Sequence, residues 1–243
     1  ALAYSVDGKA LASGDGQATI RIWNLATSKE TQVIDNKSIA ESLSLVFSPD
    51  GKSLACAGAW NDSSFMPKGA VFKIQGVEVT RKEGNAVLLW DTTTGKEVRR
   101  FTGLNDKLKS VAFAPNGKTL AAAGSDGRVA LWDVAGGAER LYIVAHPNAS
   151  SAEFSPSPAV VFSPDGKVLA SAGTDGTIRL WDARTAKELG QLAAPDSAFG
   201  CLALSTDGKL LITGSADGSV LVWDWAEAGK PRKQDRPNVI FIR

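Results

Sequence analysis

One histidine, two cysteines and a series of Asp-Gly pairs are the residues of this 243-residue chain with the widest chemical reach. Their spacing narrows what they can do. His146 could form a nucleophile–base pair only with Cys56 or Cys201, and neither cysteine sits in a recognisable nucleophile context. A zinc site needs several imidazole or thiolate ligands converging, more than one histidine and two distant cysteines supply. The Asp-Gly pairs lack the spaced carboxylates of a calcium loop. Gly51-Lys52-Ser53 and Gly117-Lys118-Thr119 mimic the end of a phosphate-binding loop, but Val46 and Ala112 stand where that loop needs its first glycine. Both triplets read as turns. No catalytic residue, metal ligand or cofactor is expected, and the chain is read as a non-enzyme.

The elements that carry these residues are clearest between Val160 and Asp182. Val160-Val161-Phe162 is a brief apolar strand stopped by Pro164-Asp165-Gly166, where proline presets φ and glycine accepts the positive φ that closes a turn. Lys167 to Ala172 is a second strand. Asp175-Gly176 is a hairpin signal of the type that favours positive φ at both central residues, and Thr177 to Trp181 alternates as a sheet strand should. Three strands cannot bury their own faces, and the unit recurs. The first turn returns as Val6-Asp7-Gly8, Pro49-Asp50-Gly51, Pro115-Asn116-Gly117 and Thr206-Asp207-Gly208. The closing tryptophan returns as Trp23, Trp90, Trp132 and Trp223, followed by Asn24 or by Asp91, Asp133 and Asp224. Tryptophan spacings of 67, 42, 49 and 42 residues give a basic period of about 42 with two insertions.

These residues resemble the WD-repeat (WD40) β-propeller family over nearly the whole chain, from Leu2 to Trp225. The resemblance implies an all-β fold, a propeller of four-stranded antiparallel blades. Five repeats fall at about 1–34, 42–102, 108–145, 158–193 and 199–229. Family members commonly close with seven blades, so the chain is expected to be part of a larger ring, with flanking blades of the same polypeptide missing. The opening Ala1-Leu2-Ala3-Tyr4-Ser5 already lies within a strand, which suggests an N-terminus further upstream.

In the resembled family a turn aspartate, a second-strand Ser or Thr, the tryptophan N–H and a histidine before the first strand form a structural hydrogen-bond network. The matching residues of repeat four are His146, Ser171, Asp175 and Trp181. Repeat five keeps Thr213, Asp217 and Trp223. Repeat three keeps Asp126 and Trp132, with Leu104 at the histidine position and Ala122 replacing the hydroxyl. His146 is therefore expected to be structural.

Two insertions break the period, at 59–85 in repeat two and at 147–158 before repeat four. The first contains two strand-like runs, Gly69 to Ile74 and Val77 to Thr80, and reads as an extra hairpin. In a meandering blade both insertions emerge on one face of the disc, conventionally the top. Trp60, Phe65, Met66, Phe72, Lys73, Arg81 and Lys82 are of the types found at protein contact centres and are the candidate partner-binding residues.

In the tail, 230–243, the window after Asp224 is basic and proline-containing, a poor outer strand. Val239-Ile240-Phe241-Ile242 is an alternative outer strand for the last blade. Arg236 to Ile242 also resembles the opening strand of the sulfatase family, whose metal-binding acidic pair would follow. That resemblance implies a second reading, a regulatory or targeting domain fused to a downstream enzyme. The bulk composition adds exclusions. A net charge of +1 gives no field to recruit nucleic acid or an anionic membrane, and no apolar run reaches the roughly 18 residues of a membrane helix. Cys56 and Cys201 read as small core hydrophobes rather than a disulfide. The expected role is a non-catalytic scaffold that binds a protein or peptide through the top face. The compartment is left open, cytoplasmic by default and exported if a sulfatase-like domain follows.

Overall fold

The computed structural model describes residues 1–15, 19–35, 39–60, 71–74, 77–80, 86–104, 106–147, 158–193, 198–205 and 207–225, with side chains at 39–43, 59–60, 71–74 and 77–80 excepted. The period-2 runs become strands and the Gly-containing clusters become turns. Blade one contains β1 (Leu2–Tyr4), β2 (Ala10–Gly14), β3 (Thr19–Asn24) and β4 (Lys29–Asp35), paired in that order. Blade two uses β5 (Ile39–Phe47), β6 (Ser53–Trp60), β9 (Ala86–Asp91) and β10 (Glu97–Phe101). Between β6 and β9 lies a separate hairpin of β7 (Val71–Ile74) and β8 (Val77–Thr80). Blade three is β11 (Leu108–Phe113), β12 (Thr119–Gly124), β13 (Arg128–Asp133) and β14 (Glu139–Val144). Blade four is β15 (Ala159–Phe162), β16 (Val168–Ala172), β17 (Thr177–Asp182) and β18 (Glu188–Ala193). The last sheet has three strands among the described residues: β19 (Phe199–Leu204), β20 (Leu210–Ser215) and β21 (Val220–Asp224). All pairs are antiparallel. The windows proposed for its outer strand, at 229–234 and 239–242, lie outside the described residues.

The first turn is built the same way each time. Its glycine holds a φ of +68 to +70° at Gly8, Gly51, Gly117, Gly166 and Gly208. In blade four Asp165 Oδ1 accepts the Ser163 hydroxyl at 2.6 Å and the Lys167 N–H at 3.0 Å. Such turns satisfy their own backbone, so strands one and two enter the sheet in fixed register.

The second turn differs from expectation. Gly176 has a φ of +73°, but Asp175 is not in the positive-φ region. Gly176 N–H donates to the Gly173 carbonyl and Gly173 N–H to Thr177, a three-residue loop with glycine at its bulge position. This geometry spares Asp175 a strained backbone and leaves its carboxylate free to turn back toward the blade. In blade one Asp15-Gly16 comes two residues earlier after the second-strand serine than in blade four, the spacing of a shortened repeat. The ladder nonetheless pairs Ser13 with Arg21, as it pairs Ser171 with Arg179, so the blade is full length.

The core lies between sheets. Each interior interface packs small residues of one blade against large residues of the next: Ala121 and Ala123 of blade three meet Val160, Phe162, Leu169 and Trp181 of blade four. Middle strands of the interior blades are covered on both faces, and β12, Thr-Leu-Ala-Ala-Ala-Gly, is buried along its length. Inner strands of successive blades also join directly, because the hydroxyls of Ser44 and Ser110 accept the N–H groups of Val111 and Val160, each at 3.2 Å. Equivalent residues meet equivalent residues, so successive blades run in the same sense. Their first turns share one face and their second turns the other.

Candidate functional site

A dense polar cluster sits at the second-turn face of blade four, where four chain segments meet. His146 follows β14 and is fully buried. Its Nδ1 is 3.0 Å from Asp175 Oδ1 and its Nε2 2.9 Å from Ser171 Oγ. Trp181 Nε1 donates to the same serine oxygen at 2.9 Å. Thr177, which sequence reasoning passed over, donates its hydroxyl to Asp175 at 2.7 Å, and the Asp175 carboxylate also lies 3.8 Å from Arg179. The signal for Thr177 was its place two residues after the turn aspartate. Ser219 stands at the same place in blade five and donates to Asp217 at 2.6 Å.

The partners assign the proton on the ring. A carboxylate can only accept, so Nδ1 carries the hydrogen, and Nε2 accepts from Ser171. Burial pulls the His146 pKa below its ordinary value, outweighing the opposing pull of Asp175, so the imidazole is neutral at pH 7. Burial pushes Asp175 upward, but the Thr177 hydroxyl and His146 outweigh it and hold the carboxyl below its usual range. The Asp175–His146 contact is thus an N–H···O hydrogen bond rather than an ion pair.

A serine, a histidine and a carboxylate in this order are the parts of an acyl-transfer triad. Here Ser171 is 1% exposed, its oxygen already accepts the tryptophan N–H, and it faces packed protein. A nucleophile must reach a carbonyl carbon, and this oxygen has no path to one. The cluster is suited to holding the Pro147 end of the second insertion against blade four.

The other blades solve the same problem differently. Trp23 Nε1 donates to Ser13 and Trp223 Nε1 to Thr213, each at 3.1 Å, without a histidine. Among the described residues Asp217 engages only its own turn, and Asp126 accepts the Arg128 N–H at 3.1 Å and lies 3.5 Å from its guanidinium. In blade three, where Ala122 offers no hydroxyl, Trp132 Nε1 donates to the Thr102 carbonyl at 3.1 Å, and Leu104 fills the histidine position as a buried apolar plug. In blade two Cys56 stands at the hydroxyl position and Trp90 Nε1 has no hydrogen-bond partner among the described residues.

Of the candidate contact residues, Trp60 ends β6 and Phe72 and Lys73 lie on β7, where only the backbone is described. Phe65, Met66, Arg81 and Lys82 lie outside the described residues. The roots of both insertions are defined. β6 and β9 still pair at Gly58 and Ala86, and Ala159 pairs with Ala172 at the start of blade four. By the sense of the strands both roots open on the second-turn face. On the opposite face a groove of about 220 Å³ separates the first turns of blades two and three, lined by Pro49, Asp50, Phe113, Pro115 and Asn116. Its carboxylate, Asp50, is committed to Ser48 and the Lys52 N–H. Among the described residues no cluster of His, Cys, Asp and Glu is fit to hold a metal ion. No helix among them is long and apolar enough to cross a membrane.

Against this geometry, the family described as "WD domain, G-beta repeat" matches residues 1–24, 95–133, 145–182 and 186–224, more than half of the chain. The chain belongs to the WD-repeat family. The WD-repeat matches from residue 95 onward each begin with or just before an outer strand, or at the connection that precedes a first strand, and end at the Trp-Asp pair. They leave out residues 25–94, where the first insertion splits blade two; the sheet forms there all the same. Among curated relatives, "Small ribosomal subunit protein RACK1" of Medicago sativa is 31% identical over 134 residues, covering 55% of this chain and 38% of its own. "Shk1 kinase-binding protein 15" of Schizosaccharomyces pombe is 30% identical, covering 49% and 37%. "Guanine nucleotide-binding protein subunit beta" of Zea mays is 28% identical, covering 60% and 46%. The chain spans less than half the length of these relatives.

Proposed function

We propose that this WD-repeat chain is a non-catalytic scaffold that binds a protein or peptide through its second-turn face, with the insertion at 59–85 as the recognition element. The observation that carries the reading is the common face of the two insertion roots, Gly58/Ala86 and Pro147/Ala159, on sheets that are otherwise regular. A stable sheet tolerates added chain at loops, and binding residues concentrate on loops held by a rigid frame. The names of the relatives fit this: one is a kinase-binding protein and another a subunit of a guanine-nucleotide-binding assembly. The buried state of the Ser171–His146–Asp175 set argues against hydrolysis at that cluster.

The test replaces residues 59–85 by a short Asp-Gly turn and compares co-purifying proteins by mass spectrometry. Loss of a specific partner from the variant, with its cooperative unfolding transition kept, is the expected result. Unchanged partners would move recognition to the standard loops. Substrate turnover by the intact protein that vanishes on substituting a propeller residue would overturn the scaffold reading.

A further inference from the structure

On the first-turn face the repeats serve as controls for one another, and the groove between blades two and three stands out. Tyr4, Phe47, Phe113 and Phe162 occupy one position of their blades, three residues before the turn Asp or Asn. Phe47 and Phe162 are 4% and 5% exposed, whereas Phe113 is only half-buried and lines the groove. A small residue lies across from it. Ser53 of blade two stands where blades three and four carry Thr119 and Val168, and it lines the same groove. Of the three proline-led turns, that of blade two also stands furthest from the turn that follows it. A Cβ added at Gly117 would lie 3.7 Å from the Pro49 ring and one at Gly166 3.4 Å from Pro115, while one at Gly208 would overlap Pro164.

The rim of this groove is unbalanced in charge. Four first turns place a lysine two residues after an aspartate: Asp7 and Lys9, Asp50 and Lys52, Asp165 and Lys167, Asp207 and Lys209. Two of these pairs close to 3.8 Å and 3.5 Å, at Lys9 and Lys167. Blade three carries Asn116 instead, whose side-chain oxygen accepts the Lys118 N–H. The exposed Lys118 ammonium therefore has no carboxylate in its own turn. The neighbouring carboxylates are held by their own turns, Asp50 by Ser48 and the Lys52 N–H and Asp133 by the Gly136 N–H.

We infer that this groove is a second binding site, which takes an acidic segment of a partner protein. One large apolar side chain of that segment enters between Pro49, Phe113, Pro115 and Val134, and flanking Asp or Glu residues face Lys52 and Lys118. The volume of about 220 Å³ falls below the roughly 300 Å³ at which sites for drug-sized ligands begin, so it suits a single anchoring side chain. Burial of such an anchor supplies affinity, and complementary charge at the rim supplies specificity and encounter rate. The chain's own tail is mismatched in charge, since residues 226–243 carry five Lys and Arg against two acids. The site lies on the face opposite the insertion roots and does not depend on the second-turn reading.

The test selects a random heptapeptide library on the intact protein, with the Ser53→Val protein in solution as competitor. Ser53→Val installs the residue type of blade four and fills the groove; an unchanged urea midpoint shows that the fold is kept. Retained peptides should carry one Leu, Ile, Met or aromatic residue flanked by Asp or Glu. A fluorescein-labelled copy should bind at least tenfold more weakly to Ser53→Val and to Lys118→Glu, and unchanged to a protein lacking 59–85. Peptides that do not distinguish the wild type from Ser53→Val would overturn the site. A basic or uncharged consensus, or indifference to Lys118→Glu, would overturn the acidic partner. Binding that appears only after removal of 226–243 would make the tail the occupant and overturn the inference. Concentration-dependent dimerisation that Ser53→Val abolishes would do the same in favour of a second copy.

Discussion

At the scale of single residues, the repeats show what a buried tryptophan N–H requires. Three tryptophans donate to a hydroxyl and one to a carbonyl, while the Trp90 N–H has no hydrogen-bond partner among the described residues. Replacing Cys56 by Ser places an acceptor where Ser13 and Thr213 already serve without a histidine. The expected gain is about 0.5–1 kcal/mol, seen as a higher urea midpoint at unchanged slope. An unchanged or lower midpoint would show that the orphan N–H is relieved in another way. The chain's sole histidine makes a second test selective. Burial lowers the His146 pKa in the folded state, so between the unfolded value near 6.5 and the folded value the unfolded chain binds more protons. Stability is therefore full above about pH 6.5 and falls on acidification through the folded pKa. Carboxylates such as Asp175, also lowered, add their own loss only below their unfolded value of 3.8. Urea titrations from pH 7.5 to 5 should show this slope, and His146→Gln should flatten it. A slope that survives the substitution assigns it elsewhere. His146, Ser171, Asp175 and Trp181 were singled out in the sequence through their resemblance to a known pattern, and Thr177 was passed over. Trp132's use of the Thr102 carbonyl was not legible there, because a backbone acceptor 30 residues away leaves no mark in residue types.

At the scale of elements, the blade is a sheet whose register is set twice, by self-satisfied turns and by hydroxyl bridges between inner strands. Ser44 and Ser110 supply those bridges for blades two and three, and Ala159 stands at the equivalent place in blade four. Ala159→Ser should restore a bond to the N–H of Leu202 and raise stability by about 0.5–1 kcal/mol. The check is amide exchange at Leu202, which should slow; unchanged exchange with unchanged stability would mean that the two strands diverge there. The turn residues made the strand boundaries readable in advance, since Pro, Asp and Gly act through φ and local hydrogen bonds. The conformation of the second turn was misjudged from the Asp-Gly pair alone. The loop is one residue longer than a two-residue hairpin, because the strands pair at Gly173 and Thr177 rather than nearer the tip. Pairing register is a property of two strands together, and a dipeptide does not contain it.

At the scale of the whole molecule, burial depends on neighbours that the repeat itself does not specify. Phe162→Ala removes a ring from an interior interface and should cost about 3–4 kcal/mol, whereas Tyr4→Ala at the aligned position should cost under about 1 in this chain. Thermal or urea unfolding of the two variants checks the contrast, and equal losses would show that blade one is covered in solution. Cys201 is the correction that belongs to this scale. Its apolar strand context reads as core, and it is exposed because the last blade's outward face has nothing packed on it among the described residues. The strand period, the chemistry of the first turn and the number of repeats were legible in the sequence alone. All of these are carried by residue type and local spacing. Which tryptophans find partners, which serines bridge blades, and which apolar faces are interior emerged from the packing of the blades. Those outcomes depend on the distance between residues far apart in the chain, and packing alone sets that distance.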